Sequence, residues 1–368
     1  MPPLSVMIKP VSGACNMQCR YCFYADEMQK REKPLYPKMS SEALETVVRK
    51  VMACAEERVS FAFQGGEPTL IGLPFFEALV RFQRQYNARG LQVSNAVQTN
   101  GLELPDEMLH FFARERFLLG VSVDGTEMVH DTFRRDRQGA PTHARVMDTI
   151  RRMQAFGVDF NVLCVVGGTA ASHAKEVFEA LAPYSYVQFI PCLEPLDGGP
   201  GPDPLTPEGY LSFLKNAFDL YERAFWQGKP VSIRSFDNYV GILLGMPPEN
   251  CAMAGVCSPQ LLIESDGSTY PCDFYALDEW KTGNILTDPL RRILRSARAE
   301  AFREESLPLP QKCCACRWYP LCRNGCRRER GADGVNRWCA CMGEFFAYSI
   351  ERMQKMAQEI ARREKEKK

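Results

Sequence analysis

Three cysteines near the start of the chain, in the run Cys15-Asn16-Met17-Gln18-Cys19-Arg20-Tyr21-Cys22, carry the most chemical information. Three thiolates can hold three irons of a four-iron cluster that normally takes four. The remaining iron is then an open coordination position, which is where metal chemistry happens. A zinc knuckle is the alternative, but it needs a fourth ligand, and the nearest histidine is His110. A denser set follows: Cys251, Cys257, Cys272, Cys313, Cys316, Cys322, Cys326 and Cys339. Eight thiolates suffice for two fully ligated four-iron clusters, or for a pair of four-cysteine zinc sites. Asp273 directly follows Cys272. A carboxylate there is a candidate general base, or a structural hydrogen-bond acceptor at a strand end. Of the other cysteines, Cys54 and Cys164 fall in apolar stretches and are expected in the core. Cys192 ends a strand and is a candidate to face the site; Cys314 and Cys341 neighbour ligands, with Cys341 competing with Cys339 for the last place.

These groups need a scaffold. Candidate strands at 5–11, 59–64, 92–98, 118–123, 159–165 and 186–190 recur with amphipathic stretches between most of them, among them 42–55, 74–86 and 145–156. Six βα units in series predict an α/β fold, a partial (β/α)6 TIM-type barrel with parallel strands. The chemistry of such folds sits at the C-terminal strand ends. Polar runs fall there: Gln64-Gly65-Gly66-Glu67, Gln98-Thr99-Asn100-Gly101 and Ser122-Val123-Asp124-Gly125. A Pro- and Gly-rich stretch at 195–207 reads as a loop, with Thr206 capping a helix that has Pro207 in its first position. A β-hairpin over 261–270 turns at Asp266-Gly267, and a last helix is expected over 343–363. The expected division is a barrel at 1–235, a cysteine-rich domain at 236–342 and a C-terminal helix at 343–368.

The 368 residues carry no formal net charge, which removes the basic footprint of a nucleic-acid binder. No apolar run approaches a membrane span, and residues 1–10 show no signal-peptide pattern. A cytoplasmic protein is expected. Sixteen cysteines in a reducing compartment point to metal ligands, not disulfides.

The C-x3-C-x-aromatic-C run resembles the radical S-adenosylmethionine (SAM) superfamily, and the second set resembles its SPASM auxiliary-cluster domain. Further marks are Met1-Pro2-Pro3-Leu4-Ser5, Ile8-Lys9-Pro10, Tyr21-Cys22-Phe23-Tyr24, Phe63-Gln64-Gly65-Gly66-Glu67-Pro68-Thr69-Leu70, Val97-Gln98-Thr99-Asn100-Gly101 and Cys272-Asp273. On these the whole chain resembles the anaerobic sulfatase-maturating enzymes. The resemblance implies three 4Fe–4S clusters. Cys15, Cys19 and Cys22 would hold the SAM-cleaving one. Cys251, Cys257, Cys272 and Cys326 would hold an auxiliary cluster, and Cys313, Cys316, Cys322 and Cys339 another. It assigns SAM contacts to Tyr21, Gly66, Ser122, Arg134 and Leu193, and substrate contacts to Tyr24 and Gln64. It implies that a 5′-deoxyadenosyl radical takes a hydrogen atom from Cβ of a sulfatase cysteine or serine while Asp273 takes the thiol or hydroxyl proton, giving Cα-formylglycine without oxygen. The implied partners are a sulfatase polypeptide and an external flavodoxin- or ferredoxin-type donor, with the enzyme a monomer that contacts neither nucleic acid nor membrane. The edge of the hairpin near Tyr270 is a candidate place for the peptide to add as a strand. The competing readings are a SPASM peptide maturase forming thioether or carbon–carbon crosslinks, many of which carry a leader-binding domain not visible here, and a non-catalytic metal scaffold.

Overall fold

The computed structural model describes residues 4–258 and 260–366. The opening Met1-Pro2-Pro3 lies outside the described residues. Ten strands form one sheet in the order β10-β9-β8-β1-β2-β3-β4-β5-β6-β7. They are β1 (Leu4–Lys9), β2 (Arg58–Phe63), β3 (Gln92–Thr99), β4 (Leu118–Ser122), β5 (Asp159–Val166), β6 (Tyr186–Pro191), β7 (Ser232–Ile233), β8 (Leu261–Glu264), β9 (Ser268–Tyr270) and β10 (Gly283–Asn284). Strands β1 to β6 pair in parallel, each with its sequence neighbour, as the expected partial barrel requires.

Alternation along the strands shows how the barrel is built. On β2 the buried Val59, Phe61 and Phe63 alternate with less buried residues, so the apolar set faces one side only. Helices cover that side. The helix Ser41–Cys54 starts where the Ser40 side chain accepts from the Ala43 amide and buries Leu44, Val47, Val48, Val51 and Met52, the stripe read from the sequence. Thr206 caps the helix Pro207–Trp226 by accepting from the Gly209 amide, as expected.

Two features depart from the sequence reading. The hairpin of the cysteine-rich region is part of the barrel sheet: β8 pairs in parallel with β1, Val6 opposite Leu261 through Lys9 opposite Glu264. Sheet and apolar core therefore run across residue 235. The closing helix spans Cys339–Glu366, beginning four residues before the expected Gly343. Asn336 closes the turn ahead of it: its side chain accepts from the Trp338 amide and its carbonyl from the Cys339 amide. This helix packs through Phe345 on Phe218 of Pro207–Trp226 and on Phe236 of the helix Arg234–Leu243.

Candidate active site

The loop after β1 carries Cys15, Cys19 and Cys22. Burial pushes the Cys15 thiol to about 11 and the Cys19 thiol to about 12, and the Cys22 charge raises both further. A bound metal centre would supply the positive charge that lets such buried thiols ionise. Gly65 and Gly66 seat the strand-end segment on this loop. A Cβ on Gly66 would come within 2.0 Å of the Ala14 carbonyl oxygen, and one on Gly65 within 2.7 Å of that of Ser12. Gly65 also has φ of +87°, which favours glycine. For Gly66, an expected SAM contact, packing against the cysteine loop is an equally strict demand. Glu67, fully buried, accepts from the Asn100 amide at 2.7 Å and from the Thr69 and Thr99 hydroxyls at 2.6 and 3.0 Å. It ties the segments that follow β2 and β3 together, and nothing in the sequence marks it beyond its place in the motif.

Tyr21 and Arg134 meet at Asp124. Arg134 Nε and Nη2 donate to the two Asp124 oxygens at 2.8 and 3.1 Å, and the Tyr21 hydroxyl donates to the same carboxylate. Burial lifts Asp124, but the Arg134 charge and its hydrogen bonds outweigh that and hold the carboxyl low. Arg134, an expected SAM contact, is thus engaged on two of its nitrogens by a protein carboxylate, a pairing no local sequence pattern reveals. Ser122 ends β4 and accepts from Gln98 Nε2 at 3.2 Å. Leu193, half-buried, follows β6. Asn16 Nδ2 and Gln64 Oε1 are buried here without a hydrogen-bond partner among the described residues. Orphaned polar atoms beside the three cysteines fit a polar cofactor such as SAM.

Asp273 sits across from these groups, in the short turn Asp273–Tyr275 after β9. The Tyr24 hydroxyl donates to its Oδ2 at 2.7 Å, and Oδ1 is buried without a partner. Tyr24 in turn touches the Gly65 amide, linking Asp273 to the Gln64–Gly66 segment. Burial raises the Asp273 carboxyl, restrained by the Lys9 charge and the Tyr24 hydrogen bond, so it holds a proton more tightly than a solvated carboxyl does. The hairpin edge expected to receive peptide is not free: β8 is taken by β1 and β9 by β10, and Tyr270 is 1% exposed. The parallel β1–β8 pairing, invisible to local patterning, is the reason.

The second cysteine set divides in two. Cys272 is close enough to Cys326 and Cys251 to feel their charge, and Cys326 to Cys251 and Cys257. Cys322 is coupled in the same way to Cys339, Cys313 and Cys316. Those four line one cavity with Trp318 and Phe346; Cys341 is buried in the apolar core instead. Cys164 is likewise core, Cys54 is partly buried against it, and Cys192 is buried at the end of β6. Among the described residues no three His, Cys, Asp or Glu side chains crowd closely enough to hold a single metal ion.

Residues 10–181 match the radical SAM superfamily and residues 251–317 an iron–sulfur cluster-binding domain termed SPASM. The chain is 38% identical to the cysteine-type anaerobic sulfatase-maturating enzyme of Clostridium novyi, over 99% of this chain and all of that one. Identity to the serine-type enzyme of Bacteroides thetaiotaomicron is 29%, over 97% and 92% of the two chains. The structure of native anSMEcpe with bound AdoMet and Cp18Cys peptide superposes with a TM-score of 0.93 at 39% identity, over 98% of this chain and all of that one. At that identity and coverage, the chain belongs to the anaerobic sulfatase-maturating enzymes of the radical SAM superfamily.

Proposed function

We propose that the chain oxidises a sulfatase residue to Cα-formylglycine, cysteine in preference to serine, given the higher identity to the cysteine-type relatives. One observation carries the reading: a buried carboxylate, Asp273, stands next to Cys272, with one oxygen fixed by Tyr24 and the other unpartnered. When bound, SAM and its cluster supply hydrogen-atom abstraction, and the auxiliary clusters accept an electron.

The residues of this chain do the rest. Cys15, Cys19 and Cys22 would hold the first cluster, at which SAM would bind. Gly66, Ser122, Arg134, Leu193 and Tyr21 bound the SAM site, with Arg134 and Tyr21 acting through Asp124 as well. Cys251, Cys257, Cys272 and Cys326 form one auxiliary set, and Cys313, Cys316, Cys322 and Cys339 the other; the shared cavity supports Cys339 over Cys341. Gln64 and Tyr24 face the peptide. Asp273 Oδ1 accepts the thiol proton, and its tight proton affinity suits that task.

We assign the barrel to 1–235 and the SPASM domain to 236–342, the latter adding β8, β9 and β10 to the barrel sheet, and a C-terminal segment to 343–368 that continues the helix begun at Cys339. The substrate is a peptide segment, as in the anSMEcpe complex with Cp18Cys peptide. The reductant is a flavodoxin- or ferredoxin-type protein and the enzyme a cytoplasmic monomer; no helix among the described residues is long and apolar enough to cross a membrane.

The test is Asp273→Asn assayed on cysteine- and serine-containing sulfatase peptides by mass spectrometry. SAM cleavage with most aldehyde product lost is expected. Normal product yield would remove Asp273 as the base, and a crosslink mass in place of formylglycine would favour the other class of SPASM maturase.

A further inference from the structure

Residues 133–142 form an arch beside the cysteine loop. Arg135 bridges Pro141 across it, and Asp136 Oδ1 accepts from the Gln138 and Ala140 amides at 3.0 and 2.8 Å. One limb of the arch runs antiparallel to the cysteine loop. The Phe133 carbonyl accepts from the Arg20 amide at 3.0 Å, the Arg135 carbonyl from the Gln18 amide at 2.8 Å, and Asp136 bridges Met17. Those loop residues stand between Cys15, Cys19 and Cys22, so the arch sets the backbone on which the three thiols are carried. Arg134 lies between the two carbonyls that hold the loop. Its own carbonyl accepts from the Thr142 hydroxyl at 2.8 Å. Thr142 Oγ1 is 3.1 Å from His130 Nε2, and His130 Nδ1 is 3.3 Å from the Asp124 amide. His130 and Thr142 are both 0% exposed.

The direction of each bond in this chain is fixed. An amide can only donate, so His130 Nδ1 accepts and the ring proton sits on Nε2. Nε2 then donates to Thr142 Oγ1, and the Thr142 hydroxyl gives its one proton to the Arg134 carbonyl. Burial lowers His130 to about 3, and the Arg134 charge adds to the effect, so the ring stays neutral. Asp124 closes the circuit, because its carboxylate holds the Arg134 guanidinium. The place of Thr142 in the chain makes its orientation informative. It stands at the N-cap of the helix His143–Phe156, where a threonine hydroxyl ordinarily accepts from the helix's own amides. Here it makes no such bond. Asp131 Oδ1 accepts from the Thr142 and His143 amides instead, at 2.8 and 2.9 Å, which releases the hydroxyl for Arg134.

We propose that His130 and Thr142 are positioning residues for SAM: the relay from the Asp124 amide through His130 and Thr142 to the Arg134 carbonyl makes the Arg134 guanidinium and the cysteine loop one rigid unit. The inference rests on Arg134 bounding the SAM site. Asp124 takes Nε and Nη2 of Arg134, so Nη1 is the nitrogen left to meet SAM. Where Nη1 stands relative to the three thiols is set by the Arg134 backbone, and the Thr142 hydroxyl fixes that backbone. Fully buried, His130 and Thr142 act through Arg134 and not by contact with a ligand.

The test compares Thr142→Val, which keeps the shape and loses the hydroxyl, with Thr142→Ser, which keeps the hydroxyl, as oxygen-free cluster-loaded chains. Equilibrium dialysis with labelled SAM reads the Kd, and thermal unfolding reads stability. Thr142→Val is expected to raise the Kd about tenfold, the weight of one buried hydrogen bond, and Thr142→Ser to stay within about twofold of wild type. A Thr142→Val chain that is less stable but binds SAM as wild type does overturns the proposal, since a merely structural threonine behaves in that way. Equal weakening in Thr142→Ser overturns it too. Should Thr142→Val not fold or load its clusters, wild type decides. Nitrogen NMR of the histidine-labelled, cluster-loaded chain is expected to show His130 neutral with its proton on Nε2 from pH about 6 to 8; a proton on Nδ1, or a charged ring, overturns the relay. The four histidines are assigned by single substitution. Arg134→Gln is expected to weaken SAM binding at least as much as Thr142→Val. Wild-type Kd in Arg134→Gln overturns the assignment of Arg134 beneath the proposal, whereas weak binding there with normal binding by Thr142→Val overturns the positioning role alone.

Discussion

Replacing Glu264 with alanine strands the buried Arg31 and leaves Lys9 only the Asp273 carboxylate. Lys9 is 1% exposed and Arg31 and Glu264 side chains 0%, so no water replaces the lost carboxylate. Removing one partner of a buried ion pair costs about 3–5 kcal/mol, because the remaining charge stays desolvated. With roughly 2.1 cal/mol/K of unfolding entropy per residue, the 368 residues convert about 4 kcal/mol into a midpoint shift near 5 °C. The assay is thermal unfolding of the cluster-loaded protein without oxygen, at one scan rate. The double variant Arg31→Met, Glu264→Leu, which leaves Lys9 to the Asp273 carboxylate, should unfold within about 2 °C of wild type, since an apolar replacement of a buried ion pair is often neutral. A Glu264→Ala shift below about 1 °C, or a double variant as unstable as the single one, would refute the view that charge compensation holds the β1–β8 seam together.

Other outcomes follow from single contacts. Cys339→Ala should retain about 8 of the roughly 12 irons expected for three clusters, whereas Cys341→Ala should keep all of them and lose stability as a core cavity; iron assay on anaerobically reconstituted protein separates the two. Gly66→Ala would drive a Cβ into the Ala14 carbonyl and should lose the iron of the first cluster together with 5′-deoxyadenosine formation. Tyr24→Phe removes the 2.7 Å hydrogen bond to Asp273, a charge-assisted bond worth about 1.5–3 kcal/mol; product formation should fall ~10–100-fold with SAM cleavage retained, measured as 5′-deoxyadenosine against formylglycine.

What the sequence by itself determined is local in origin. Six strands and the main helices were legible because period-2 and period-3.6 apolar patterns need only near neighbours. Cysteine spacing named the ligand candidates, since the coordinating residue types are few. The tertiary structure alone decided what depends on segments far apart in the chain meeting. Parallel pairing of β1 with β8 puts Lys9 opposite Glu264, closes the hairpin edge and assembles the charged cluster behind Asp273. Asp124 as the partner of Arg134, and the burial of Cys341 beside an accessible Cys339, are of the same kind. Burial and charge compensation are properties of a folded neighbourhood, so no stretch of sequence carries them alone.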